Sequence, residues 1–297
     1  MNRLLTSPLV NRPLARAVRP LARFLSTDVL WRLPVVGTIE VQPEGWMGPP
    51  VLMATDGSDR VASMLYWRGS DGWEPATVRL FLRLAGCGST ALDIGAHSGL
   101  FSLLAARHHP QLRVHAVEPL ARAVALLESN VALNRLTNVT CHRLACGAVS
   151  GRSQLHVPDE GAMTMMASLV AGWSDAAVTE EVECVTLDDL VEATAASDIG
   201  VIKLDAEGSE ADVLGGAART LDDHRPFILC EVLDRSGLGE RITATLTERN
   251  YRFFTIGRDR LWSCQQITGA GDADEGHNYL FAPDSRLAEL ARVAGEW

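Results

Sequence analysis

Ala91-Leu92-Asp93-Ile94-Gly95-Ala96-His97-Ser98-Gly99-Leu100-Phe101-Ser102-Leu103-Leu104-Ala105-Ala106 is the stretch whose reading decides the fold. An apolar strand-like run ends in a glycine turn and passes at once into an apolar helix, the opening unit of an α/β nucleotide-type binding fold. Gly95 lets the chain turn sharply at the carboxyl end of the strand, and Gly99 lets the next helix pack close to the sheet. A dinucleotide site wants another glycine near position 97, so that backbone can approach a pyrophosphate. This chain has His97 there.

A nucleoside cofactor without phosphate escapes that objection, and S-adenosylmethionine (SAM) is one. Asp93 is then placed to bind its polar methionine part or fixed waters, with Gly95 giving backbone access. The next strand, Leu112 to Val117, ends in Glu118 and Pro119. Glu118 is the expected acceptor for ribose hydroxyls, and Pro119 suits the first turn of a helix. Taken alone, Glu118 reads equally well as a helix cap. Beside the Asp93 turn, cofactor binding is the better reading.

Downstream, an apolar helix runs to Asn134 and a third strand follows over Val139 to Leu144. This alternation of strands and helices predicts a parallel sheet. Ala145-Cys146-Gly147 forms a small-residue corner where adenine would lie. The pattern breaks over 151–187 into a hairpin-like insertion with a Met-rich loop (Met163, Met165, Met166), and Met packs well in any core. A fourth strand, Ile199 to Leu204, delivers Asp205, and a fifth, Pro226 to Cys230, delivers Glu231. Both carboxylates then stand at the carboxyl ends of adjacent strands, where open α/β sheets bind ligands. A helix over Gly239 to Arg249 and strand-like runs at Tyr251, Leu261 and Asn278 complete the sheet.

Upstream, Met1 to Arg32 holds six arginines and one acid, Asp28, with leucines interleaved and prolines at 8, 13 and 20. This reads as a short helical arm that docks on the domain or on a partner subunit, giving a homo-oligomer. Weak attraction to an anionic membrane surface is the alternative. Val35 to Val41, Val51 to Ala54 and Val61 to Trp67 read as strands of a small antiparallel element. Trp73-Glu74-Pro75 opens a helix. The expected division is an arm with a small β-rich element at 1–70 and the main domain at 71–297.

The net charge of −10 argues against a general nucleic-acid surface. No apolar run approaches the roughly 20 residues that cross a bilayer. Six cysteines at 87, 141, 146, 184, 230 and 264 show no metal-finger spacing, so reduced core thiols in a cytoplasmic protein are expected. Lys203 is the only lysine.

The combination resembles the FkbM-type SAM-dependent methyltransferases, within the class I methyltransferase fold. It rests on Trp73-Glu74-Pro75, Leu92 to Gly99, Val117-Glu118-Pro119, Ser168-Leu169, Thr186-Leu187-Asp188, Ile202 to Glu210, Val213-Leu214, Gly216-Ala217 and the strand from Pro226 to Glu231. The run Lys203-Leu204-Asp205-Ala206-Glu207-Gly208-Ser209-Glu210 is the most telling. The family more often has Asn where His97 stands. The resemblance covers about Trp73 to Pro283. It implies a Rossmann-like, seven-stranded, mostly parallel sheet with helices on both faces, SAM as cofactor, and a hydroxyl on a sugar, polyketide or related small molecule as methyl acceptor.

An alcohol acceptor must lose a proton as it attacks, to a carboxylate, a histidine or an amine, or after acidification by a metal. The candidates are Asp205, Glu207 and His97, with Lys203 and Glu231 behind them. The cofactor set is Asp93, Gly95, Ala96, His97, Gly99, Glu118, Pro119, Ala145, Cys146 and Asp205. Each candidate has a structural counterpart: Lys203 neutralising Asp205, His97 holding the turn, Glu207 and Glu210 as first-turn acids. A metal-free route with Asp205 as principal base and Glu207 assisting is the expectation, against Mg²⁺ held by Asp205 and Glu231. The rival readings are N- rather than O-methylation, a dehydrogenase, and a non-catalytic SAM-binding protein.

Overall fold

In a computed structural model of the chain, the residues described are 7–158, 167–170, 177–233, 237–268 and 277–295. The chain opens with α1 (Pro8–Val18), a 3₁₀ segment (Arg19–Phe24) and α2 (Thr27–Trp31). The antiparallel pair β1 (Val36–Val41) and β2 (Val51–Asp56) follows, then α3 (Arg60–Arg68) and α4 (Pro75–Ala85). Val61 to Trp67, expected as a strand, is therefore helical. Asp59 caps α3 by accepting from the Ala62 amide, and its residues from Val61 to Leu65 are all buried. A helix covered on nearly every side loses the polar face that would mark its period.

The main sheet is built from β3 (Thr90–Ile94), α5 (Leu100–His108), β4 (Arg113–Val117), α6 (Ala121–Leu133) and β5 (Val139–His142). Its second half contains α7 (Leu187–Thr194), β9 (Ile199–Leu204), α8 (Glu210–Gly215), α9 (Ala218–His224) and β10 (Phe227–Glu231). α10 (Leu238–Thr247), β11 (Tyr251–Ile256), β12 (Leu261–Cys264), β13 (Asn278–Pro283) and α11 (Leu287–Ala294) finish it. Strand order is β12-β11-β13-β10-β9-β3-β4-β5. Five neighbouring strands, β10 to β5 in that order, are parallel, and β13 enters antiparallel between β10 and β11. The expected seven strands thus become eight, because β12 folds back on β11 and adds an outer edge.

The insertion forms its own sheet from β6 (Ala145–Cys146), β7 (Gly151–Pro158) and β8 (Ala177–Val185), in the order β6-β8-β7. The Ala145-Cys146 corner, expected as the end of the third strand, instead leaves the main sheet and pairs parallel with β8. The Met-rich loop lies outside the described residues. α8 and α9 are separated at Gly216, where a Cβ would stand 2.3 Å from the Gly147 carbonyl oxygen.

One hydrophobic core joins Ala15, Ala22 and Leu30 of the arm to Leu80, Leu103 and Val201 of the sheet domain. A second, on the other face of the sheet, gathers Leu92, Ile202, Leu214, Ile228 and Phe281. Several motifs of the resemblance serve this framework. Thr186 caps α7, and the Asp188 carboxylate accepts from the amides of Arg219 and Thr220 and the hydroxyl of Thr220 on α9.

Candidate active site

The carboxyl ends of β3, β4, β9 and β10 open onto one cavity of about 390 Å³. Gly95, Ala96, His97, Glu118, Pro119, Ala145, Cys146, Asp205, Glu207 and Glu231 all line it, which brings together most of the residues singled out in the sequence. Asp93 and Gly99 are outside the lining. Asp93 is buried behind the wall, where its Oδ2 accepts from the Ser102 amide at 3.0 Å and from the Ser102 hydroxyl. There it anchors the first turn of α5 against β3, one layer behind the cavity where the sequence had placed it. Burial pushes its pKa up to about 6, against the pull of the Ser102 bonds and of Lys203.

The glycines have specific neighbours. Gly95 has φ +83°, and a Cβ there would stand 1.7 Å from the Asp205 carbonyl oxygen. This residue therefore lets the ends of β3 and β9 close on each other, where the Asp205 amide donates to the Ile94 carbonyl at 2.9 Å. Gly99, φ +96°, was expected to admit the sheet, yet its tight neighbour is Leu127 of α6 at 2.4 Å from a built Cβ.

Glu118 serves the cavity and the backbone at once. Its Oε1 accepts from the Leu120 amide at 2.8 Å and its Oε2 from the His97 amide at 3.0 Å, and both oxygens keep acceptor capacity. Burial raises its pKa, opposed first by His97. His97 sits at φ +50°, a left-handed position that Asn and His tolerate better than most residues. This accounts for the exchange of the family's usual Asn for His: the backbone constrains the position. Both ring nitrogens of His97 are buried without a hydrogen-bond partner among the described residues. So are the hydroxyls of Ser98 and Ser209, which also line the cavity.

At the end of β9 the Lys203 ammonium is 1% exposed. It donates to Asp205 Oδ2 at 3.1 Å, lies 3.9 Å from Glu74 Oε2 and sits 5.0 Å above the Phe101 ring. Burial by itself would lower its pKa, but the charges of Asp205, Glu74 and Glu231 outweigh it and hold the amine protonated. The charge on Asp205, then burial and Glu74, push the Glu231 carboxyl up to about 10. Burial, then Asp205 and Glu210, push Glu207 up to about 9. Both shifts favour the protonated form of these carboxyls, which can donate a hydrogen bond. Glu210, expected as a first-turn acid, accepts from the Ala206 and Gly208 amides and fixes the turn that carries Glu207.

Glu74 was legible only as part of a helix opening. Its backbone is left-handed (φ 38°, ψ 53°) directly before Pro75, a disfavoured place that the surrounding packing must hold. Ser168 is the other omission: its hydroxyl donates to the Glu207 carbonyl at 2.6 Å, tying the insertion to the reaction centre. Leu144, Ala145, Cys146, Leu155 and Leu169 give the cavity apolar lining, as do Trp31, Val61, Trp73 and Phe101. Among the described residues, no group of three or more His, Cys, Asp or Glu side chains is arranged to hold a metal ion.

The profile of the Methyltransferase FkbM domain matches residues 93–253, more than half of the chain. The chain is 29% identical over 219 residues to the 31-O-demethyl-FK506 methyltransferase FkbM of Streptomyces tacrolimicus, covering 61% of this chain and 78% of that protein. It is 28% identical over 207 residues to methyltransferase sdnD of Sordaria araneosa, covering 60% of this chain and 78% of the relative. The solved structure of methyltransferase FkbM from Methylobacillus flagellatus KT aligns at 18% identity with a TM-score of 0.47, over 77% of this chain and 56% of that one.

Proposed function

The chain belongs to the FkbM methyltransferase family, and from that premise we propose that it transfers the methyl group of SAM to a hydroxyl of a small molecule. The observation that carries this reading is the composition of the cavity: apolar Leu144, Ala145, Cys146 and Leu155 together with the Glu118 carboxylate, Asp205 backed by the buried Lys203, and the raised carboxyls of Glu207 and Glu231. The residues fit the cofactor. Ala145, Cys146 and Leu155 would take the adenine, Glu118 the ribose hydroxyls, and the 95–98 turn with the unpartnered Ser98 hydroxyl the polar methionine end. When bound, SAM supplies a methyl group on a sulfonium, which an in-line nucleophile displaces.

The chain's own residues do the rest. Lys203 fixes the Asp205 carboxylate through Oδ2, Glu231 shares a hydrogen bond with the same carboxylate, and Asp205 takes the acceptor's proton. Glu207, whose carboxyl is biased towards the protonated form, assists as a hydrogen-bond donor that orients the acceptor oxygen, and Glu231 positions the Asp205 carboxylate. Trp31, Val61, Trp73 and Phe101 exclude water and suit an acceptor with an apolar body. The Streptomyces tacrolimicus relative, a 31-O-demethyl-FK506 methyltransferase, supports a hydroxyl acceptor.

The direct test is thermal stabilisation of the purified chain by SAM or S-adenosylhomocysteine. Ligand at about a hundred times its dissociation constant adds about 2.7 kcal/mol. Extracts are then screened by mass spectrometry for a hydroxyl compound that gains one methyl group from labelled SAM. Stabilisation by NAD and by neither SAM nor S-adenosylhomocysteine would overturn the reading.

A further inference from the structure

The arm is packed in an unexpected sense. α1 and the 3₁₀ segment dock on the protein through small residues: Asn11, Ala15 and Ala22 are buried. Asn11 locks the contact, donating to the Pro34 carbonyl and accepting from the Val36 amide, each at 2.8 Å. The large apolar side chains of the same segment point outward, with Leu9 88%, Phe24 72% and Leu21 56% exposed. Between Pro8 and Ser26 there is no acid, and Arg12, Arg16, Arg19 and Arg23 are all exposed, in a chain whose net charge is −10. The Arg23 guanidinium stacks 4.7 Å over the Phe24 ring, which presents charge and apolar surface at one spot.

We propose that the outer face of this arm, Pro8 to Phe24, binds the surface of a membrane that carries anionic phospholipid. Leucine and phenylalanine side chains entering the acyl boundary, with arginines at headgroup level, are the two components such a surface selects. No helix among the described residues is long and apolar enough to cross a membrane, so the arm lies on the bilayer. A second copy of the chain is the poorer occupant. A two-fold contact would set four arginines against four with no acid between them. An acidic protein would answer the arginines and leave Leu9 and Phe24 without a reason to project. The inference is independent of the methyl-transfer reading.

The experiment is flotation of the full chain with vesicles of phosphatidylcholine, with and without phosphatidylserine. The chain is expected to float with the anionic vesicles only and to be released by high salt. Arg16→Gln with Arg23→Gln should lower the partition coefficient roughly thirtyfold, on a scale of about 1 kcal/mol for each basic residue. Leu9→Ser with Phe24→Ser should lower it at least about a hundredfold, as expected for about 1.5–3 kcal/mol per buried side chain. Circular dichroism and the melting midpoint should be unchanged in both variants, since all four side chains face solvent. Two results would overturn the proposal: binding that ignores phosphatidylserine or survives both variants, and absence of flotation together with a dimer, seen by ultracentrifugation, that Leu9→Ser with Phe24→Ser dissociates.

Discussion

At the scale of single residues, the carboxylates of the cavity divide by their partners. Asp205 is held by the one lysine of the chain, while burial of Glu207 and the charge of Asp205 beside Glu231 favour the protonated forms of those two. Asp205→Asn is therefore expected to bind SAM in calorimetry as the parent does and to lose at least about a hundredfold in turnover, the usual range for a general base. EDTA should leave parent activity intact. Loss restored by Mg²⁺ would make Asp205 a ligand, and full activity of the variant would remove it from the reaction. Glu118 and Asp93 separate in the same way. Glu118→Ala should weaken SAM about tenfold, the scale of about 1.4 kcal/mol for one charge-assisted contact. Asp93→Ala should instead show in urea unfolding, at about 1–3 kcal/mol, because the buried Ser102 amide and hydroxyl lose their acceptor.

At the scale of elements, the site depends on how closely two strand ends approach. Gly95→Ala places a methyl against the Asp205 carbonyl, a backbone atom of β9 that cannot swing aside. Gly99→Ala meets only a leucine methyl of α6. Both variants carry the backbone strain of a positive φ, about 1–3 kcal/mol. Gly95→Ala is expected to exceed that range in chemical denaturation and to abolish SAM binding, and Gly99→Ala to stay within it. Equal costs would show that the strand ends can part. This crossing was legible in the sequence as a turn that needs glycine, but the partner at the turn was not, because Asp205 lies 110 residues away. The same limit recurs. Strands with short apolar runs and carboxylates at or near their ends, such as β3, β9 and β10, declare themselves locally. The tie from Ser168 to Glu207, the Glu74–Lys203 pair and the place of Ala145-Cys146 beside β8 arise from packing between distant segments. Val61 to Trp67 failed for the opposite reason: its burial is so complete that no helical period remains to be read.

At the scale of the whole molecule, the acidic pocket fixes how stability responds to pH. Glu231, Glu207, Glu210 and Asp93 have folded values of about 10, 9, 7 and 6, against ordinary values of 4.5 for Glu and 3.8 for Asp. Each folded value is raised, so the folded chain holds protons that the unfolded chain releases. Stability from these groups is then fully present below the ordinary values and is lost as pH rises through the folded ones. His115 and His142 act in the opposite sense. Their values are lowered by burial, His115 to about 4, so their stability is lost as pH falls below 6.5. Exposed acids with lowered values, such as Asp189, add to that acid-side loss. From about pH 8 upward the six cysteines, all raised above their ordinary value of 9.0 by burial, add a loss of the same sign, so the window in which Glu207 and Glu231 lead runs from about pH 7 to about pH 8. The free energy of unfolding in urea should fall across it, by at most about 1.4 kcal/mol per pH unit for each group. Glu207→Gln with Glu231→Gln, which removes both ionisations while keeping the side-chain shapes, should flatten the slope. A parent profile already flat from about pH 7 to about pH 8 would mean that these two carboxyls are ionised at pH 7, and that the acceptor meets three carboxylates in place of one base and two protonated carboxyls.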